Sequence, residues 1–280
     1  MIKDFSKIIL YSDMDGTLLD SNGKVSEENQ EAVKYFMKQG GLFGIATGRS
    51  QLNSVLFLEN INVNTPCILY NGGGIYDFDT KQFVALFELP KAKLTGLLQL
   101  CLKEFMDVVL QVYCPDMCYF VSQKECAGEE IVALHQPSVF CQLEDIIDKP
   151  WIKILLSGTS EELVLLKDLM KDFDLEEEVN WVFSSEIYLE LLPFGVTKGS
   201  ALSKVRDYMG SDYKIYAVGD YNNDVEMLSA ADVGIATQNA IPSLKEVADV
   251  ITVSNDESAI ADIIYHIIEE QEDKRIWIKE

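Results

Sequence analysis

Positive charge is scarce in this chain of 280 residues: 23 lysines and arginines stand against 46 aspartates and glutamates, a formal net charge of −23. No Lys/Arg run interrupts that acidity, so neither nucleic acid nor a membrane surface is expected as a partner. Histidine is nearly missing, with only His135 and His266, and the six cysteines at 67, 101, 114, 118, 126 and 141 form no CxxC pair. The group Cys114, Cys118, Cys126 and His135 fits no tight zinc spacing, which leaves free thiols in a reducing compartment as the preferred reading. No apolar run approaches membrane-spanning length, and the first one is far too short for a signal peptide, so the expected location is cytoplasmic. Internal repeats, low-complexity tracts and long Gly/Ser linkers are also lacking, and nothing identifies a protein partner. What the chain does have is apolar side chain: 48% of residues are hydrophobic, enough for a sizeable core and far from the profile of disorder.

Along the chain, Ile8 to Tyr11 is a continuous apolar run that suits a strand buried on both faces. Ser26 can cap a helix whose first turn carries Glu27 and Glu28 and whose apolar residues Ala32, Val33, Phe36 and Met37 recur at helical spacing up to Gly40. Leu42 to Ala46 reads as a second buried strand, a helix is expected from about Gln51 to Leu58, and Cys67 to Tyr70 reads as a third strand closed by Asn71-Gly72-Gly73-Gly74. From about Phe83 the order changes to a helix bearing Leu94, Leu97, Leu98, Cys101 and Leu102, then short strand candidates around a helix from Glu161 to Met170. Buried-strand runs return at Lys214 to Val218, Val233 to Ala236 and Val250 to Val253. The pattern predicts an α/β protein: a Rossmann-like, doubly wound parallel-sheet core formed by residues 1–83 and 192–280, with an α+β domain, residues 84–191, inserted between its halves. Tyr113, Tyr119 and Trp151 in the insertion are read as core.

Polar clusters fall where the core strands end, which is where open α/β sheets place their ligands. Asp13 and Asp15 leave the first strand two residues apart, with Gly16 permitting a sharp turn. Paired carboxylates repel unless a cation or proton intervenes, and a hard divalent ion with oxygen ligands resolves the repulsion; an acidic loop after a strand is the plainer alternative. Thr47-Gly48-Arg49 offers a hydroxyl and approachable backbone N–H groups to an oxyanion, or simply caps a helix. Lys198 opens a helix, where its charge opposes the dipole and hints at an anionic partner, although an exposed lysine explains it equally. Gly219-Asp220-Tyr221-Asn222-Asn223-Asp224 follows a buried strand with more oxygen donors than capping requires. Asp220 would face the same crevice as Asp13, so the two clusters together can form a hard-cation site.

Read in order, DMDGTLL, ATGR, VTKG and GDYNND resemble the haloacid dehalogenase-like superfamily of phosphatases over the whole chain. The insertion between ATGR and TKG, with NGG after the third strand, is similar to the cap of the Cof-type branch. The resemblance implies a magnesium-dependent phosphatase acting on small phosphorylated metabolites, such as sugar phosphates or phosphorylated cofactors. By it, Asp13 is the nucleophile that becomes an aspartyl phosphate, and Asp15 is the general acid and base. Mg²⁺ is held by the Asp13 side chain, the Asp15 backbone carbonyl and Asp220, with Asp224 in support, while Thr47, the Gly48 amide, Lys198 and Asn223 hold phosphoryl oxygens. Loss of Lys198 is expected to cost rate without disturbing the fold. The inserted domain is expected to choose the leaving group. Two departures from the branch's pattern are Thr237-Gln238, where methionine and glycine are common, and the stretch Asn255 to Ala259, which lacks the usual glycine. A phosphomutase, or a non-catalytic metal- or phosphate-binding module, remains as an alternative.

Overall fold

The computed structural model describes residues 4–58, 61–122 and 137–268, which leaves Cys126 and His135 outside. In chain order the first segment contains β1 (Ile8–Ser12), α1 (Glu27–Lys38), β2 (Leu42–Ile45), α2 (Gln51–Ser54), β3 (Cys67–Leu69), β4 (Gly74–Asp77) and β5 (Gln82–Leu86). There follow α3 (Lys91–Glu104), β6 (Val109–Tyr113), β7 (Cys118–Phe120), β8 (Ser138–Phe140), β9 (Lys153–Ser157), α4 (Ser160–Leu169), β10 (Val179–Ser185) and β11 (Tyr188–Pro193). The last segment runs through α5 (Lys198–Met209), β12 (Lys214–Gly219), α6 (Val225–Ala230), β13 (Val233–Ala236), α7 (Pro242–Val247), β14 (Val250–Ile251) and α8 (Ala259–Asp262). Residues 1–85 and 197–280 form one compact unit and residues 86–196 a second. These divisions lie two and five residues beyond those drawn at 83 and 191, because β5 and β11 extend past the points where the sequence pattern changes.

The first unit is built on a five-stranded sheet of order β14-β13-β12-β1-β2, parallel throughout. All five residues of β1 are buried, as a strand covered on both faces requires. Ile9, Tyr11, Ile215 and Ala217 pack with Ala201, Leu202 and Val205 of α5 and with Met227 and Leu228 of α6. Helix α1 starts at Ser26, whose side chain accepts the Asn29 N–H, and it is tied to α8 where Asn29 Oδ1 accepts the Ala261 N–H at 2.9 Å. The chain leaves β1 toward β2 on one side, while β12, β13 and β14 build outward on the other, so the strand order reverses between β1 and β12. A small sheet, β3-β4-β5, follows the parallel one; its β4–β5 hairpin was not expected from the sequence. Helix α2 ends at Ser54, shorter than the expected run to Leu58.

The second unit is a six-stranded sheet of order β10-β11-β9-β6-β7-β8, antiparallel except for β7 with β8. The period of two in its strands sorts their side chains. Leu110, Val112, Ile154, Leu156, Leu189 and Leu191 pack beneath Leu94, Leu97, Leu98 and Cys101 of α3 and Leu163 and Leu166 of α4. The alternate positions carry buried polar groups, among them Gln111, Ser157 and an ion pair of Lys153 Nζ with Glu190 Oε2 at 3.3 Å. Trp151 is fully buried in the apolar cluster and donates its indole N–H to the Ile146 carbonyl at 2.8 Å. Among the described residues no helix is long and apolar enough to cross a membrane.

Candidate active site

The reversal of strand order sets β1 and β12 side by side in parallel, with Ser12 level with Val218. The residues that follow, Asp13 and Gly219-Asp220, therefore leave the sheet together at its carboxyl edge. Asp13 is anchored by its N–H, which donates to the Val218 carbonyl at 2.9 Å. Residues 14–18 then curl into one wide turn that the Leu19 N–H closes on the Met14 carbonyl. Gly16 turns there at a φ of +75°, and a Cβ on it would lie 2.5 Å from Asp220 Oδ2, so the turn requires glycine for both conformation and space. Thr17 Oγ1 donates to Asp220 Oδ1 at 3.1 Å, and Asn239 Nδ2 donates to the Gly16 carbonyl at 2.8 Å, fixing the loop from two sides.

Lys198 is the first residue of α5, which Thr197 caps by accepting the Ser200 N–H. Its ammonium is fully buried between two carboxylates, 2.7 Å from Asp13 Oδ1 and 2.7 Å from Asp224 Oδ1. The other oxygen of Asp224 accepts the N–H groups of Asp220 and Tyr221 at 3.0 and 3.1 Å, so this side chain both organises its own loop and holds the lysine. Burial alone would push Lys198 down, but Asp13 and Asp224 hold it above the usual lysine range. Asp13 is driven well above the ordinary carboxylate range, first by burial and then by Asp224 and Asp220, against the opposing pull of Lys198. Asp220 is pushed up to about 6 by burial and by Asp224. Asp13, Asp220 and Asp224 each offer an oxygen within 4.8 Å of the others. Three carboxylates facing a single ammonium leave this pocket short of positive charge, and a hard cation with oxygen ligands fits the deficit. The expectation that losing Lys198 would spare the fold is corrected here, because a fully buried cation between two carboxylates also holds the structure together.

The second loop follows β2, the neighbour of β1 on the other side. Thr47 is buried, and its Oγ1 accepts the Arg49 N–H at 3.2 Å, the local turn that its residue type favours. Gly48 faces the carboxamide of Asn71. Asn71 sits in the left-handed region after β3 and accepts at Oδ1 from Asn223 Nδ2 at 3.0 Å, which joins the second loop to the loop after β12. Thr47, Gly48 and Asn223 are thus linked through Asn71. Asp15 lies elsewhere: its carboxylate, 59% exposed, is gripped by Arg49 and is not a member of the acidic group. The sequence reading named Arg49 and Asn71 only as members of the ATGR and NGG stretches, and it gave no role to either, to Thr17 or to Asn239. The Asn-Gly pair after a short strand marks Asn71 as a turn residue, but not as the acceptor for Asn223. The glycine-poor stretch near 255 places Ser258 at a φ of +61°, and Asn255 donates from Nδ2 to the Leu19 carbonyl at 2.9 Å.

The sequence profile of the haloacid dehalogenase-like hydrolase family matches residues 10–264. The chain is 29% identical over 286 residues to the Bacillus subtilis (strain 168) protein named 5-amino-6-(5-phospho-D-ribitylamino)uracil phosphatase YwtE, covering 92% of this chain and 97% of that one. It is 28% identical over 273 residues to the Arabidopsis thaliana protein named Endoribonuclease YBEY, chloroplastic, covering 91% of this chain but 46% of that relative, so it spans about half of it. Among solved structures, a haloacid dehalogenase-like hydrolase from Bacteroides thetaiotaomicron superposes with a TM-score of 0.83 at 25% identity, covering 93% of this chain and 99% of the other.

Proposed function

The chain belongs to the haloacid dehalogenase-like hydrolases; from that premise we propose that it is a phosphatase that hydrolyses small phosphorylated metabolites with Mg²⁺ through an aspartyl phosphate on Asp13. The observation that carries this reading is the close group of Asp13, Asp220 and Asp224, with the buried Lys198 ammonium paired to Asp13 and Asp224, at the switch point of the sheet. Phosphatases of this superfamily generally use a divalent metal ion. Asp13, Asp220 and Asp224, together with the Asp15 carbonyl, would hold magnesium, whose charge would lower the repulsion between carboxylate and phosphate.

An Asp13 oxygen attacks phosphorus, the bond from phosphorus to the leaving oxygen breaks with its electron pair, and the Asp15 carboxyl gives that oxygen a proton. In the second half a water molecule attacks the phosphorus of the aspartyl phosphate and gives a proton to the Asp15 carboxylate. The bond to Asp13 breaks and inorganic phosphate leaves. Lys198 supplies fixed positive charge throughout, and Thr47, Gly48 and Asn223 hold phosphoryl oxygens. The second unit, residues 86–196, is assigned the choice of leaving group. Free thiols at Cys67, Cys101, Cys114, Cys118 and Cys141 support work in the reducing cytoplasm.

The test is phosphate release from sugar phosphates, nucleotides, phosphorylated cofactors and the ribitylaminouracil phosphate named for the Bacillus relative, with and without Mg²⁺. Release that needs Mg²⁺ and falls more than about 10³-fold in Asp13→Asn supports the reading. Isomerised substrate without released phosphate would replace it by a mutase, and a folded, metal-binding protein with no turnover would replace it by a binding module.

A further inference from the structure

Asp15 is an exposed carboxylate on a loop, and nothing in its own turn restricts the rotation of its side chain. The restriction comes from 34 residues away. Arg49 donates from Nε to Asp15 Oδ2 at 2.7 Å and from Nη2 to Asp15 Oδ1 at 2.6 Å, a fork that fixes the plane of the carboxylate as well as its place. Arg49 is itself held. Its Nη1 donates to Asn53 Oδ1 on α2, its guanidinium carbon lies 4.2 Å from the centre of the Phe57 ring, and its backbone N–H is bound by Thr47 Oγ1. An ion pair whose carboxylate is this exposed adds little to stability, so the fold has little use for so many restraints.

We propose that Arg49 is a positioning residue for Asp15, aiming its carboxyl at the leaving oxygen, with Asn53 and Phe57 holding Arg49 in turn. This inference rests on the reading of Asp15 as the proton donor. A carboxyl that carries the proton on one oxygen can keep the other on the fork, so the direction of donation is set while the proton is in place. The arrangement also ties the donor to the loop of Thr47 and Gly48, since Arg49 continues the same turn.

The experiment uses substituted phenyl phosphates, from 2,4-dinitrophenyl phosphate, whose phenolate leaves without a proton, to phenyl phosphate, whose leaving oxygen needs one. Single-turnover phenol release, with enzyme and Mg²⁺ in excess, reads the first chemical step alone. Asp15→Asn is expected to lose at least about 10²-fold on phenyl phosphate and far less on the dinitrophenyl ester. Arg49→Gln is expected to show the same slope with a loss of about 10-fold or more on phenyl phosphate, an unchanged thermal midpoint, and no added loss in the Asp15→Asn background. Phe57→Leu, which leaves both charges in place, is expected to show the slope more weakly and serves if Arg49→Gln does not fold. A loss in Arg49→Gln and Phe57→Leu that is equal across the series, or no loss, overturns the inference while Asp15 keeps its role. An equal loss across the series in Asp15→Asn, or no cleavage by the wild type, overturns the reading of Asp15 or of the phosphatase itself.

Discussion

At the scale of single residues the site is a problem in charge. Asp220 titrates near 6 in the folded protein because burial and Asp224 disfavour its carboxylate, whereas in the unfolded chain it has the ordinary value of 3.8. The folded state therefore holds the proton more tightly, and the stability that this contributes is complete below about pH 4 and lost as pH rises through about 6. A shift of this size corresponds to about 2 to 3 kcal/mol. Metal-free protein is expected to show a thermal midpoint that falls between pH 4 and 6, and Asp220→Asn should flatten that fall and raise the midpoint at pH 7.5. A midpoint independent of pH in the wild type would contradict the burial of an acidic cluster. Lys198→Met removes the one ammonium between Asp13 and Asp224, and a broken buried pair costs about 3 to 5 kcal/mol. Urea unfolding should register that loss, and phosphate release should be abolished even in the fraction that remains folded.

At the scale of elements, the site depends on how a turn meets a helix start. Gly72 follows β3 at a φ of +103°, and a Cβ on it would lie 2.2 Å from the Thr197 carbonyl, the cap of the helix that carries Lys198. Gly72→Ala meets both a disfavoured backbone and a backbone neighbour that cannot rotate away. It is expected to cost more than about 2 kcal/mol and to lower turnover by displacing Lys198, with denaturant unfolding and phosphate release as the two measurements. The central strands were legible in the sequence because a strand covered on both faces is an uninterrupted apolar run, as in β1 and β12. The hairpin β4–β5 was not, since its second strand has no fully buried residue and its sequence lacks clean apolar–polar alternation, and β10 was hidden beside an acidic stretch. The site divides similarly. Asp13, Lys198, Asp220 and Asp224 stand at strand ends or helix starts within recognisable motifs. The work of Arg49 and Asn71 is written only in contacts to Asp15 and to Asn223, which are 34 and 152 residues away, and no local pattern encodes those.

At the scale of the whole molecule, a formal charge of −23 acts on stability in two separable ways. Exposed carboxylates repel one another through water, and sodium chloride screens them, with a Debye length of about 10 Å at 0.1 M and about 3 Å at 1 M. The carboxylates of Asp13 and Asp224 are removed from solvent, so bulk salt reaches them poorly, and a cation that binds there must give up water for oxygen ligands. The two effects should therefore respond to different ions and to different substitutions. Raising sodium chloride from 0.05 to 0.5 M is expected to lift the thermal midpoint of wild type and Asp220→Asn alike. Magnesium at about a hundred times its dissociation constant should add about 2.7 kcal/mol to the wild type and almost nothing to Asp220→Asn. If sodium chloride reproduced the whole magnesium effect, or if Asp220→Asn gained as much from magnesium as the wild type, the stabilisation would be general screening and the acidic pocket would have no claim to a specific ion.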